Sequence, residues 1–503
     1  MSYPPQPAAP GGQSYPAQQP YSQPYGGVPP QQPYGQQGQP PYGHGAPQPP
    51  QPYSQPPSGR PPRRGLKVLL IVLGTFLGLL ALGVGVVVHH VATRPGPKDL
   101  TPETGPYQKI ADGLTAALAA KDEEAFVKPF KSDPLKEKQR KVFRNLVKIP
   151  WETARWETQF AAPLNGDMWV TFVHQIKGVD SKPVGETYNW RVEPGATAPS
   201  ITDVAGTKNL EGKTSQGDFY PGPWDLYDEL AVEVRANLVV VAAQAQAGEV
   251  QRDADILAQA AKDDLEAWKK SGPAASGGRT SALGYFVVLE KQRDVYNKLY
   301  AGDGRENDSL EAGVNMPIDA YDPKTSKEKE SGGSRIVMDT SESRFTSSAW
   351  RNGVAEIGRH EMGHATVELF STEQIYIEGL QDTQMWVVEG FADYMAFRGK
   401  DDQARASFQA SLKGYAFDGT LPGSLGFYAD QAQQRGANYA LSALAVRYIG
   451  QKYGEDKAFA FVAAHYTDPK AYQQQITTAT GLPLKQFQTE WAAWVRTTVP
   501  GLR

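Results

Sequence analysis

Two histidines and a glutamate carry the first chemical signal in this chain. The stretch Arg359-His360-Glu361-Met362-Gly363-His364-Ala365 reads H-E-x-x-H inside a segment of helical pattern. At 3.6 residues per turn His360 and His364 project from one face, about 40° apart and one turn along. Two imidazoles so placed can hold one zinc ion, and Glu361 beside them can reach water on that metal. Such a zinc takes a third protein ligand and keeps its fourth position open. The run Trp386-Val387-Val388-Glu389-Gly390-Phe391-Ala392-Asp393-Tyr394 offers Glu389 as that ligand. Asp393, one helical turn later, can orient a histidine ligand from behind. Glu368, Glu373 and Glu378 also lie near the motif but lack a helix-borne aspartate partner, so they rank below Glu389. Of the histidines beyond residue 90, namely His174, His360, His364 and His465, two are spaced for one metal.

The elements that must position these groups follow from the pattern around them. A helix over roughly 348–369 carries the motif, with Ser347 or Ser348 as its N-cap. The run Arg335–Asp339 reads as a strand just before it. Upstream, Val232–Ala242 reads as one buried strand, Asp253–Lys270 as an amphipathic helix, and Tyr285–Glu290 as a second strand followed by a helix from about 293 to 300. Thr325–Gly333 is a charged loop ending on glycine. Downstream the chain reads as helices at 405–416, 438–453, 457–465 and 484–497, with Trp491 and Trp494 as core.

Before this region, residues 107–149 read as two helices. The first holds Ile110, Leu114, Leu118, Ala125 and Phe126 on a helical period, the second Leu135, Val142, Phe143, Leu146 and Val147. Strand-like runs follow at 155–160, 168–176, 187–192 and 200–204. His174, alone in its strand, reads as a packed or surface residue. Residues 1–67 are rich in Pro, Gln, Gly and Tyr, a composition that cannot offset its chain entropy by burial and should stay disordered. Residues 68–88 are an uncharged apolar run long enough to span a bilayer, and Arg60, Arg63, Arg64 and Lys67 before it place the N-terminus in the cytoplasm. The expectation is a single-pass protein of the cell membrane with an extracellular catalytic domain. The 503 residues carry a formal charge of -4, and residues 99–503 hold 45 basic against 55 acidic side chains. An acidic ectodomain argues against nucleic acid as a partner. The chain has no cysteine, which excludes disulfides, thiolate metal sites and a cysteine nucleophile.

A metzincin requires H-E-x-x-H-x-x-G-x-x-H, and here Val367 and Phe370 stand at the last two fixed positions. With glutamate as third ligand the chain resembles the gluzincins. Glu389 follows His364 by 25 residues. Thermolysin-like and M1-aminopeptidase-like enzymes use a shorter interval, where this chain has Thr383 and Gln384. The longer gap resembles the thimet-oligopeptidase and angiotensin-converting-enzyme group. The context Trp-Val-Val-Glu-Gly-Phe-Ala-Asp-Tyr, with Asn438-Tyr439-Ala440-Leu441-Ser442 later, resembles the bacterial peptidase MA-like gluzincins, over roughly residues 225–500. The helix pair, the segment Leu146–Trp151 and the strands after it are similar to NTF2-like domains of bacterial envelope proteins.

These resemblances imply an α+β multidomain chain. It has a disordered tail (1–67), a transmembrane helix (68–88), a linker (89–106), an NTF2-like α+β domain (107–205), a second linker (206–224) and a gluzincin-like domain (225–503) with a mixed sheet and a mainly helical C-terminal part. They imply Zn2+ held by His360, His364 and Glu389, with Glu361 as general base and acid toward a peptide or protein substrate. Tyr439, Tyr428 and His465 are the candidates to stabilise transition-state charge, Tyr439 first. The strand at 335–339 would border the cleft and pair its edge with an extended substrate. The function expected is a membrane-anchored zinc metallopeptidase. Two other readings stand beside it: a catalytically silent envelope scaffold on a peptidase-like fold, and a zinc hydrolase of cell-wall amides. The sequence names no partner for the tail.

Overall fold

Consecutive β-branched residues leave a strand no polar face, so a run such as Leu238-Val239-Val240-Val241-Ala242 demands cover on both sides. The computed structural model supplies it. It describes residues 105–160, 162–195, 198–206, 222–273, 281–296, 312–321, 331–371 and 382–502. The expected tail, the expected span over 68–88, most of both linkers, and Glu373 and Glu378 lie outside these residues.

Two sheets form, within an α+β fold rich in helices. The first is an antiparallel meander of β1 (Trp151–Thr158), β2 (Asp167–Ile176), β3 (Val184–Glu193) and β4 (Ser200–Gly206), preceded by helices α1 (Pro106–Ala120), α2 (Glu123–Val127) and α3 (Asp133–Leu146). The first expected helix is broken in two. Lys121 takes a left-handed conformation (φ 55°) and ends α1, and the Asp122 side chain accepts the Ala125 N–H to start α2.

The second sheet runs β5 (Leu230–Arg235), β6 (Leu238–Ala243), β7 (Tyr285–Glu290), β9 (Ser331–Asp339), β8 (Gly313–Asp319). The pairs β6–β7 and β7–β9 are parallel, while β5–β6 and β8–β9 are antiparallel. The single strand expected over 232–242 is thus a hairpin turning at Ala236 and Asn237. Only β6 is buried nearly throughout; β5 carries Glu233 and Arg235 and exposes Val234, and its alternating valines read on into β6 as one strand, which hid the turn. The strand expected at 335–339 is not an edge: β7 pairs it on one side and β8 on the other. β8 is the outer strand, with a single bridge from Ala320 to Val184 beyond its end. Pro317 inside β8 weakens its strand signal, and an edge is where a strand tolerates proline.

Side chains of the second sheet alternate between two cores. Val239, Val241, Phe286, Val288, Val314 and Val337 join the core that includes Leu114, Phe126, Phe143, Trp156 and Phe172 of the first helices and sheet. Leu238, Val240, Tyr285, Val287, Ile336 and Met338 face helix α4 (Ala247–Ser271) and the motif helix α5 (Trp350–Glu368). Buried Asn145 on α3 ties the halves together: its amide donates to the carbonyls of Trp224 (3.1 Å) and Tyr227 (2.7 Å), and its oxygen accepts the Leu230 N–H (2.8 Å).

After the motif come α6 (Met385–Phe397), α7 (Asp401–Ser411), α8 (Ala432–Tyr453), α9 (Glu455–Thr467), α10 (Tyr472–Thr480) and α11 (Leu484–Thr498). They pack around Phe391, Phe459, Phe487 and Trp491, with Trp494 partly buried against them.

The expectation of a membrane-spanning protein is corrected. No helix among the described residues is long and apolar enough to cross a membrane. The longest of those named here, the 25-residue α4, is an amphipathic helix with charges on its solvent face, at Glu249, Arg252, Asp255, Lys262 and Glu266 among others. With that expectation go the single-pass topology and the extracellular placement drawn from it.

His174 is fully buried, its Nε2 2.8 Å from Glu186 Oε2, among the rings of Trp151, Phe172 and Trp224. Burial pushes the imidazole down to about 3, with Arg335 adding to the shift, and pushes the Glu186 carboxyl up to about 8. The pair is therefore neutral near pH 7. His174, depressed when folded, lends stability present above its ordinary 6.5 and lost as pH falls toward 3. Glu186, raised when folded, lends stability present below its ordinary 4.5 and lost as pH rises toward 8. Between pH 6.5 and 8 the His174 contribution is nearly complete, and the change comes mainly from Glu186. Its contribution there declines by up to about 1.4 kcal/mol per pH unit. Glu186→Gln keeps a donor for the histidine nitrogen and removes the titration. Urea midpoints at pH 6.5 and 8 should therefore fall less with pH in the variant than in the wild type; equal declines would assign the pH dependence elsewhere.

Candidate metal centre

The motif helix begins without a side-chain N-cap, contrary to the expected role of Ser347 or Ser348. Ser347 acts one step earlier, its Oγ accepting the Ala349 N–H at 3.3 Å and its carbonyl the Trp350 N–H at 3.1 Å. The helix is held by burial instead. Every residue from Gly358 to Glu368 is buried. Gly363, between the two histidines, sits where an added Cβ would lie 3.1 Å from the Ala392 Cα of α6. The absence of a side chain there lets the two helices that carry the site approach closely. Arg359 fixes their relation further: its Nε donates to Asp264 of α4 at 2.8 Å and its Nη1 to the Arg398 carbonyl at the end of α6 at 2.9 Å.

The helices bring together the three residues picked as ligands. His360 Nε2 and His364 Nε2 stand 3.2 Å apart. Glu389 Oε2 lies 3.4 Å from the first and 3.5 Å from the second. All three residues are buried, and Oε2 has no hydrogen-bond partner. A tetrahedral zinc with bonds of about 2.0–2.1 Å needs donor atoms about 3.3–3.4 Å apart. The three separations match that edge length, and a buried carboxylate oxygen facing two ring nitrogens is satisfied by a cation. The residues present therefore fit zinc.

Asp393 stands where expected, its Oδ1 2.8 Å from His360 Nδ1. That contact takes the Nδ1–H and leaves the Nε2 lone pair to face the other two donors. Burial opposes charge on His360, but the hydrogen bond to Asp393 and the adjacent Glu389 carboxylate outweigh it and raise its pKa well above the ordinary value. Burial alone would raise the Glu389 carboxyl, yet the two imidazoles hold it well below the usual carboxylate range. The site is built to receive positive charge.

Glu361 is buried on the same helix. Gly313, the first residue of β8, faces it: a Cβ there would meet Glu361 Oε1 at 2.6 Å. Glu368 lies a turn past His364 on the same helix and is not part of the converging group.

The three candidates for transition-state stabilisation separate. His465 Nε2 accepts the Gln384 N–H at 2.9 Å, anchoring the start of α6 rather than facing the metal site. The Tyr439 ring lies against His360, centroids 6.3 Å apart, and is buried. Tyr428 touches a ligand directly, its hydroxyl donating to Glu389 Oε1 at 2.6 Å. Burial and the Glu389 charge keep that phenol protonated, well above its ordinary pKa. The sequence offers little signal for this contact, because Tyr428 sits in a non-helical stretch with no periodicity.

No family model matches the chain, and no curated protein matches it. Among solved structures it is similar to an M1 zinc metallopeptidase from Deinococcus radiodurans, at 13% identity and a TM-score of 0.26. The match covers 60% of this chain and 58% of that one, so the chain spans less than two thirds of its neighbour's length. A likeness this slight carries no argument, and the site's own geometry has to bear the functional reading.

Proposed function

We propose that this chain is a zinc-dependent metallopeptidase that hydrolyses peptide bonds. The observation that supports it is the convergence of His360 Nε2, His364 Nε2 and Glu389 Oε2 at tetrahedral edge distances, beside a buried Glu361. Zinc, when bound, supplies a Lewis acid that lowers the pKa of water toward neutrality and polarises a carbonyl. Glu361 accepts the proton from the attacking water at its carboxylate and returns it to the leaving amine. Asp393 holds the Nδ1 proton of His360 throughout, keeping Nε2 aimed at the ligand cluster.

The substrate lies along β8 rather than along the strand at 335–339. Val314 and Met316 point into the shared core, so Gly313 and Asn315 share the opposite face, toward the motif helix. Asn315 Oδ1 is buried there with no hydrogen-bond partner. An extended peptide adding a strand to the outer edge of β8 brings a backbone N–H to that oxygen and its scissile bond to Glu361.

Metal content is the test. The purified full chain should carry about one zinc ion, and Glu389→Ala should be strongly depleted at the same free zinc, since a three-ligand site becomes a two-ligand one. A folded wild type without zinc would sink the peptidase reading and leave a scaffold on a peptidase-like fold.

A further inference from the structure

Glu389 has two carboxylate oxygens, and they face different partners. Oε2 looks at the two imidazoles, at 3.4 and 3.5 Å, while Oε1 accepts the Tyr428 hydroxyl at 2.6 Å. Tyr428 is not placed there by a helix. It sits in a stretch between α7 and α8 that is fixed at several points by side chains. Ser424 Oγ donates to the Thr383 carbonyl at 2.6 Å and accepts the Met385 N–H at 3.1 Å, pinning the stretch to the start of α6. Asn438 Nδ2 donates to the Phe427 carbonyl at 2.7 Å, and Arg435 Nη1 donates to the Ala429 carbonyl, pinning it to α8 on both sides of Tyr428. The ring itself packs against Phe427 and Tyr439, centroids 5.3 and 6.4 Å away.

We propose that Tyr428 is a positioning residue that holds Glu389 to ligation through one oxygen. This rests on the metal reading above and adds to it the denticity of the third ligand. A free carboxylate beside a divalent cation can chelate through both oxygens. Bidentate Glu389 would raise the coordination number and fill the position an attacking water needs. A phenol donating a short hydrogen bond to Oε1 occupies the second oxygen's lone pair and fixes the rotation of the carboxylate. Asp393 does the corresponding work for His360, so two of the three ligands are oriented from behind, one by a carboxylate and one by a hydroxyl.

The test is Tyr428→Phe in the full chain, loaded with cobalt(II) as a spectroscopic stand-in for zinc. Phenylalanine keeps the ring contacts and removes only the donor. The wild type should show the intense visible absorption of four-coordinate cobalt. The variant should show the weaker bands of higher coordination, and its zinc affinity should fall by about 10–100-fold. Near-ultraviolet circular dichroism of both proteins establishes that the variant is folded. An unchanged cobalt spectrum and unchanged affinity in a folded variant would overturn the proposal. Loss of kcat with spectrum and affinity unmoved would also overturn it, by assigning the hydroxyl to the substrate instead. Absence of metal from the wild type would overturn the underlying metal reading, an outcome distinct from either.

Discussion

Glu361→Gln is expected to lower hydrolysis of a peptide substrate by about 10²–10⁴-fold while leaving zinc bound. Glutamine has nearly the same shape but no proton affinity at its side chain, so it can neither accept the water proton nor return it to the amine. Glu361 is not among the three converging donors, so metal content should not change. The variant is sterically mild, because glutamine keeps the shape that fits beside the bare backbone of Gly313. Activity of the wild type and its variant should be measured alongside zinc per chain. Equal activities would remove Glu361 from the chemistry, and parallel loss of zinc and activity would make it a structural support of the site.

Asp180→Ala should destabilise the fold by about 3–5 kcal/mol, read as a fall in the urea midpoint. Asp180 is wholly buried. It accepts the Ile176 N–H at 2.7 Å with one oxygen and Arg335 Nη1 at 2.9 Å with the other. Arg335 on β9 is nearly as buried and lies over the Phe286 ring at 5.0 Å, with its Nε and Nη2 unpartnered. Truncating the aspartate leaves a buried guanidinium without its ion-pair partner. The cost should therefore come mainly from the charge left behind. Adding Arg335→Met to Asp180→Ala should recover part of the loss, a coupling that a double-mutant cycle reads directly. Additive losses would show that the two residues act independently.

The site was legible in the sequence because its parts are local. Helical spacing alone puts His360 and His364 on one face, and the same rule places Asp393 a turn from Glu389. The structure brings all four together. What stayed hidden is what depends on distant pairing. The hairpin at Ala236 and Asn237 is hidden because Val232 and Val234 before it and Val239 to Val241 after it read as one strand, and β8 is masked by Pro317. The assignment of Arg335–Asp339 as an edge failed with it, since an unseen strand was already paired there. Tyr428 reaches Glu389 through a loop whose course is set by Ser424, Arg435 and Asn438, none of which announces its partner in the sequence. The apolar run at 68–88 was judged on length and charge, and no described helix has that character.

The sheet that carries β8 and β9 has one face closed by the motif helix and α4, and the other by the first three helices and the four-stranded meander. Removing residues 105–206 would expose Val239, Val241, Phe286, Val288 and Val337 to water at once. Val337 lies on β9, which pairs with the β8 strand that sets Gly313 beside Glu361. The half that carries the motif helix therefore borrows its solvent shield from the half that precedes it, and the two should melt as a single cooperative unit.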